Sequence, residues 1–245
     1  YIVETSTDGG ATFVPHVAAV LPLSAGGVAA DSLYQYSYVL AASPRDPGRA
    51  ILAWTDRRNG DPDIMMTMTS DGGATWSGPT RVNDDAVGNG VGQEMVWGAW
   101  AQDGTYALAW RDRRNAGPGQ SAAFRVYASR STDGGQTWSA PAPLFQDTTT
   151  RPSTHSVRVG AVADGTLIGF GGRFYRDDPQ EGLFNRDNLG YVPMDLFLLR
   201  SMDDGRTWKG PQSLAPPLVG PAFEICHPIV ELQDGRWLAP TSTWR

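Results

Sequence analysis

Two arginine-rich segments carry the clearest chemical signal in this chain. WTDRRN at residues 54–59 and WRDRRN at residues 110–115 share the pattern W-x-D-R-R-N, and each follows an apolar run. Guanidinium groups bind carboxylates through two parallel hydrogen bonds, so Arg57 and Arg113 could form two walls of a pocket for an anion. The alternative is structural, with the Asp of each motif paired to an Arg. The sequence leaves both interpretations open.

A longer segment at residues 172–193, GRFYRDDPQEGLFNRDNLGYVP, gathers Arg, Asp and Tyr side chains. Loops of this length inside a compact domain are more often functional than structural. We therefore expect this loop to contribute to a site, the alternative being a solvated flap.

Metal and cofactor chemistry is not expected. His16, His155 and His227 are scattered and lack the spacing of a metal site. The sequence contains no nucleotide-binding glycine motif and no G-x-S-x-G. Cys226 is the only cysteine, so no intrachain disulfide can form.

Composition narrows the class of protein. The 245 residues carry a formal net charge of −6, which argues against a nucleic-acid groove. No apolar stretch is long enough to predict a membrane span. The 29 Gly, 18 Pro and 9 Trp favour many short strands over long helices. The chain begins at Tyr1 without an apolar signal segment, which we interpret as a processed or truncated chain.

A repeated eight-residue motif indicates how these side chains are positioned. STDGGATF, TSDGGATW, STDGGQTW and SMDDGRTW begin at residues 6, 69, 131 and 201. A fixed period of this size is typical of a solenoid or a propeller. Each full period holds four short apolar runs separated by Gly, Asp or Pro turns, which predicts the four antiparallel strands of a propeller blade.

The motif itself reads as the turn between the third and fourth strands. Its glycine can adopt positive φ, its aspartate can accept backbone hydrogen bonds, and its last aromatic ring can fold back into the core. A metal-binding or catalytic role is the alternative for the aspartates. The residues in these roles are Gly10, Gly73, Gly135 and Gly205; Asp8, Asp71, Asp133 and Asp203; and Phe13, Trp76, Trp138 and Trp208.

The pattern S/T-x-D-x-G-x-T-W/F, present four times, resembles the sialidase superfamily of Asp-box (BNR-repeat) proteins. The resemblance implies an all-β fold, a β-propeller of four-stranded antiparallel blades, with six blades in the family and about four in this chain. We expect one domain over residues 1–245. Its parts are strands three and four of a blade at 1–23, full blades at 34–85, 90–146 and 153–216, and strands one and two of a blade at 223–245.

The partial blades at the two ends allow two arrangements. They could complete one blade by pairing with each other, which would remove open sheet edges. Alternatively, the chain is a piece of a six-bladed domain, which the resemblance favours.

The segment HSVRVGAVADGTLIGFGGRFYRDD, starting at His155, is similar to the first-blade pattern of the family. The resemblance implies that Arg158 grips the carboxylate of an acidic sugar and that Arg173 is a second arginine of the site. It also implies that Asp177 or Asp178 is the acid–base residue.

Members of the family use a tyrosine nucleophile that a glutamate activates. Glu224 is our candidate for the glutamate, and Tyr175 and Tyr191 are candidates for the nucleophile. The sequence departs from the family pattern at Cys226, which stands where the glutamate normally precedes E-L-x-D-G.

Residues at the starts of inner strands are further candidates. We expect Glu94 and His155 to contact substrate near the central channel. His155 and His227 could instead be satisfied histidines of the core or the channel wall.

The resemblance implies a retaining exo-glycosidase of the sialidase type that removes terminal acidic sugars from glycans. The alternative is a non-catalytic Asp-box propeller that binds glycan or protein through its loops, since a fold does not fix an activity. Both interpretations imply a carbohydrate or protein ligand and no cofactor, and they leave the oligomeric state open. A secreted or extracytoplasmic location is implied by the family alone.

Overall fold

The computed structural model describes residues 1–22, 38–116, 124–178, 182–185, 190–215 and 222–244. These residues form twenty strands and no helix. In chain order the strands are β1 (Ile2–Thr5), β2 (Val14–Val17), β3 (Tyr38–Ala42), β4 (Ala50–Asp56), β5 (Asp63–Thr69), β6 (Thr80–Arg81), β7 (Gln93–Trp100), β8 (Tyr106–Asp112), β9 (Arg125–Ser131), β10 (Ala142–Pro143), β11 (Ser153–Ala161), β12 (Leu167–Tyr175), β13 (Phe184–Asn185), β14 (Gly190–Tyr191), β15 (Met194–Ser201), β16 (Lys209–Leu214), β17 (Ala222–Glu224), β18 (Val230–Glu231), β19 (Trp237–Leu238) and β20 (Ser242–Trp244).

Three four-stranded antiparallel sheets form the body of the molecule. Blade A has the order β3-β4-β5-β6, blade B has β7-β8-β9-β10, and blade C has β11-β12-β15-β16. Each blade is a meander in which consecutive strands pair, and β13 and β14 form a small hairpin inserted in blade C. The prediction of an all-β propeller with four-stranded blades is confirmed.

The two ends of the chain lie in separate sheets. At the start, β1 pairs with β2. At the end, β17 pairs with β20 and β18 pairs with β19, so that these four segments make one interrupted hairpin. Within the described residues, the β1–β2 hairpin pairs with neither of the C-terminal strand pairs.

The blades pack face to face through apolar side chains. Met66 of blade A lies in one core cluster with Trp100 and Leu108 of blade B. Val157 of blade C lies in a second cluster with Ala107 of blade B. Further clusters join the N-terminal hairpin to blade A and the C-terminal hairpin to blade C. This order of sheets is the radial stacking of a propeller.

One face of the molecule carries the short turns. The Arg45 guanidinium of blade A donates to the Asp103 carbonyl of blade B at 2.7 Å, joining the turns between the first and second strands. In blade A the Gly72 amide donates to the Gly48 carbonyl at 2.9 Å, which places the Asp-box turn on the same face. We call this the box face and the opposite side the loop face.

Each Asp-box is a hydrogen-bonded staple. In the third copy, the Ser131 hydroxyl donates to Asp133 at 2.7 Å and accepts from the Gly135 amide at 2.7 Å. Asp133 also accepts from the Thr137 amide at 2.9 Å and from the Thr137 hydroxyl at 2.5 Å. The aspartate, threonine and glycine bonds recur in the other three copies. The glycine has positive φ in all four, 98° at Gly135, which confirms the predicted turn geometry.

The last aromatic ring of the box packs against the core in three copies of the four. Trp76, Trp138 and Trp208 are half-buried and pack against the core clusters. The expectation was wrong for Phe13, which is 56% exposed. Each tryptophan packs toward the sheet that precedes its own, and Phe13 belongs to the first sheet of this chain.

We expect the free energy of unfolding to fall as the pH drops from about 4 towards 2. Hydrogen bonds from the box threonine lower the pKa of Asp71 and of Asp203 from 3.8 to about 2. A carboxyl with a lowered pKa in the folded protein stabilises it above pH 4 and loses that contribution as protonation approaches the folded pKa. Urea midpoints measured between pH 5 and 2 test this. Asp203→Asn should flatten the slope, whereas Asp46→Asn, outside the boxes, should leave it unchanged.

Candidate active site

The two W-x-D-R-R-N segments end the second strands of blades A and B on the loop face. The Asp112 carboxylate accepts the Trp110 indole N–H at 3.0 Å and the Arg114 amide at 2.8 Å, and lies 2.9 Å from the Arg114 guanidinium. Asp56 makes the equivalent bonds in blade A. The aspartate and the second arginine of the motif are therefore structural, as the second of the two interpretations supposed.

The first arginine of the motif in blade B has a different partner. The Arg113 guanidinium donates to Glu94 on β7 at 2.6 Å. A β-bulge between Glu94 and Trp97 interrupts the β7–β8 register, and Met95 within it has a φ of 57°. A bulge re-aims the neighbouring side chain, and strained residues of this kind cluster at functional sites.

Two further guanidinium groups lie close together beside this ion pair. Arg111 of β8 and Arg158 of β11 repel each other electrostatically, and Arg111 also interacts with Glu94 and Arg113. Burial, followed by the charge of Arg158, lowers the pKa of Arg111 to about 10, so Arg111 stays charged at neutral pH. The Nε atoms of Arg111 and Arg158 are buried and have no hydrogen-bond partner among the described residues. Donors held in this way are suited to an anion.

An aromatic ring holds Arg158 in place. Its guanidinium carbon lies 5.2 Å from the ring centroid of Trp97, and its Nη1 donates to the Ser156 hydroxyl at 3.1 Å. Arg158 is 8% exposed. The cation–π contact fixes the orientation of the guanidinium fork.

A tyrosine–glutamate pair completes the group. Tyr191 of β14 lies near Glu224 of β17, and both interact electrostatically with Arg158. Burial, followed by the negative charge of Glu224, raises the pKa of Tyr191. Cys226 lies beside Glu224 and Arg158. We call Glu94, Arg111, Arg113, Arg158, Tyr191 and Glu224 the rim cluster.

Comparisons with known proteins agree with this fold. The BNR/Asp-box repeat family matches at residues 129–140. The chain is similar to a Hadza microbial sialidase at 18% identity and a TM-score of 0.53, covering 70% of this chain and 36% of that one. It is similar to a Trypanosoma rangeli sialidase at 12% identity and a TM-score of 0.53, covering 87% and 35%. The chain therefore has a β-propeller fold similar to that of these sialidases, and its third repeated turn matches the Asp-box repeat. The chain is also similar to an endo-arabinase from Bacteroides thetaiotaomicron at 12% identity and a TM-score of 0.50, covering 89% of this chain and 76% of that one.

Two other findings limit how far the similarity to known proteins extends. The search of curated protein sequences found no match to this chain. The chain spans about a third of the length of the two sialidases.

Two residues that the sequence predicted to bind substrate lie outside the rim cluster, in a hydrogen-bond network around Asp147. His155 is 4% exposed, and its Nε2 lies 2.8 Å from Asp147 Oδ2. Arg173 donates to Asp147 Oδ1 at 3.0 Å. Burial lowers the pKa of His155 against the raising effect of Asp147, so the ring is neutral at pH 7. His155 and Arg173 therefore anchor the connection between blades B and C.

The other predicted residues on the loop face are more exposed. The Tyr175 hydroxyl donates to the Asp195 carboxylate. The guanidinium carbon of Arg151 lies over the Tyr175 ring, 4.1 Å from the ring centroid. Asp177 is held by Arg151 through two bonds at 2.8 and 2.6 Å, and this partner lowers the pKa of Asp177. Asp178 is exposed at the end of the same segment, and Arg57 is exposed on blade A.

Sequence reasoning missed Arg111 and Trp97. A comparison of the two W-x-D-R-R-N copies contained the signal, because the variable position is Thr55 in blade A and Arg111 in blade B. Side chains alternate along a strand, so this position faces away from the Trp and Asp that pair with each other.

Among the residues that the structure describes, no group of three or more His, Cys, Asp or Glu side chains could hold a metal ion. The same residues include no helix able to cross a membrane.

Proposed function

We propose that this protein recognises terminal acidic sugars of glycans and hydrolyses their glycosidic bond as a retaining exo-glycosidase of the sialidase type. The observation that carries the proposal is the pair of neighbouring guanidinium groups, of half-buried Arg111 and buried Arg158, beside Tyr191 and Glu224. The sialidase neighbours support the choice of an acidic sugar through their shared fold; the Trypanosoma rangeli enzyme was solved with 2,3-difluorosialic acid as a covalent intermediate.

The arginines would bind the carboxylate of the sugar. Two like charges placed together repel, so a bound carboxylate would relieve the repulsion and satisfy the two Nε donors. The Arg113–Glu94 ion pair would support Arg111 from the side, and Trp97 would keep Arg158 in its orientation.

Tyr191 and Glu224 would carry the covalent step. The Tyr191 oxygen would attack the anomeric carbon while its proton passes to the Glu224 carboxylate and the bond to the leaving oxygen breaks. A raised pKa makes the Tyr191 phenol a weak nucleophile alone, so a neighbouring base is required. Water would then displace Tyr191 and give net retention.

The leaving oxygen needs a proton from a carboxylic acid of the loop face. Arg151 holds Asp177 as a carboxylate, which makes Asp177 a poor proton donor. Asp178, which follows it in the chain, is therefore the candidate acid. A location outside the cytoplasm, where glycans with terminal acidic sugars are exposed, accompanies the proposal.

Replacing Arg158 by Ala should lower kcat/KM for a fluorogenic sialoside at least about tenfold, because a charge-assisted contact of roughly 1.5–3 kcal/mol is lost. Arg158→Lys keeps the charge and loses the planar guanidinium, so its kcat/KM should lie between those of the unaltered chain and Arg158→Ala. Arg130→Ala, on the box-face end of β9, is the matched control and should behave as the unaltered chain. Thermal unfolding of each variant shows whether it is folded.

The outcomes separate the two functions. A folded chain that binds sialic acid through Arg158 without turnover would support the non-catalytic binding propeller. Neither binding nor turnover, or an Arg158→Ala variant with unchanged kinetics, would refute the assignment of this site.

A further inference from the structure

A cavity separate from the rim cluster opens on the loop face between blades B and C. Its volume is about 330 Å³, which is at the small end of ligand pockets and suits a single sugar ring. Phe124 and Arg125 at the start of β9 form one wall, and the connection from Phe145 to blade C forms the other. We propose that this interblade pocket binds an anionic sugar unit, a hexuronate, as a second carbohydrate site.

The walls of the pocket are fixed before any ligand arrives. Asp147 accepts the Ser153 hydroxyl at 2.6 Å and the Thr149 amide at 3.1 Å, in addition to its bonds with His155 and Arg173. The Phe145 ring meets the His155 ring edge-on at a centroid distance of 4.8 Å. A site held by its own hydrogen bonds loses little conformational entropy when it binds.

The Ser153, His155 and Asp147 side chains do not form a hydrolytic triad. The same His155 Nε2 faces both the carboxylate and the Ser153 hydroxyl, at 2.8 and 3.4 Å, and Ser153 donates to Asp147. A triad needs one ring nitrogen for the acid and the other for the nucleophile. The cluster is therefore a wall of a binding pocket.

The charges that remain available in the pocket are positive. Asp147 is neutralised by Arg173, and the buried Asp112 is neutralised by Arg114. Arg125 is exposed at the rim and forms no salt bridge within the described residues. Arg151 binds Asp177 through Nε and Nη2, which leaves its Nη1 available among those residues.

Two aromatic side chains, Phe124 and Phe145, are part of the lining of the pocket. Phe124 lines the cavity and separates it from the rim cluster, because Arg111 and Arg113 lie over its ring at 4.6 and 5.5 Å. An aromatic wall with a few polar groups and a cation fits a carboxylated sugar better than a neutral sugar or an extended apolar group.

Binding of methyl β-glucuronide to the chain, followed by ¹⁵N–¹H NMR, tests the proposal. The glucuronide should shift amides around residues 124–126 and 147–155, and methyl β-glucoside, which lacks the carboxylate, should bind at least about tenfold more weakly. Arg125→Ala should weaken glucuronide binding to a similar extent. Arg130→Ala on the same strand is the matched control and should bind normally.

Two outcomes would overturn the proposal. The first is that the glucuronide causes no amide shifts, or the same amide shifts as the glucoside, or that Arg125→Ala leaves glucuronide binding unchanged. The second is binding that is lost in Arg158→Ala and kept in Arg125→Ala, which would assign the uronate to the rim cluster. Because Arg158 and Arg125 belong to separate sites, failure of this proposal is distinguishable from failure of the proposed glycosidase.

Discussion

Replacing Glu224 by Gln should lower kcat for a fluorogenic sialoside by about a hundredfold or more and leave the affinity for sialic acid almost unchanged. The expectation rests on the proposed function. A positioned general base contributes roughly 10²- to 10⁴-fold, and Gln keeps the size of Glu224 while losing its ability to take the Tyr191 proton. Initial rates give kcat, and NMR titration with sialic acid gives the affinity.

Glu231→Gln is the matched control for this variant. Glu231 lies on the same C-terminal hairpin, at the box face, where its carboxylate accepts the Ala163 amide. It should keep full activity. If Glu224→Gln also keeps full activity, Glu224 is not the base, although the arginine pair could still bind the acidic sugar. If Glu224→Gln loses affinity as strongly as turnover, its role is in binding.

The sequence was sufficient for the scaffold because the signals of a blade are local. The box contains its own hydrogen-bond partners, as in the bonds from Thr137 to Asp133, so eight residues specify the turn wherever they occur. The strands follow from alternating apolar runs between the turns. The burial of the last ring depends on a neighbouring sheet, and for that reason the expectation was wrong at Phe13.

The candidate site could be predicted only in part because its contacts are not local. Tyr175 and Tyr191 lie in the same insertion and look equivalent in the sequence. The β13–β14 hairpin brings Tyr191 to Glu224, whereas Tyr175 stays on β12 and binds Asp195. Spacing along the chain contains no information on this choice, which depends on how the insertion folds onto the next sheet.

Replacing Asp112 by Ala should lower the free energy of unfolding by about 3–5 kcal/mol. Removing one member of a buried ion pair is costly because the other member loses the charge that compensated it. Asp112 is fully buried, and its loss leaves the Trp110 indole N–H and the Arg114 guanidinium without their buried partner. Urea unfolding followed by tryptophan fluorescence measures the change.

The same guanidinium supplies the control, since Arg114 also contacts Asp84, 49% exposed, at 2.8 Å. Asp84→Ala removes a partner of the same charge from the solvent side, and a surface ion pair contributes about 0–1 kcal/mol. The two variants therefore differ in the burial of the lost carboxylate and share the cation. Equal losses of stability would show that burial does not set the contribution of Asp112. In that case the W-x-D-R-R-N pattern would not be explained by Asp112 acting as a buried anchor that positions Arg113, the first arginine, against Glu94.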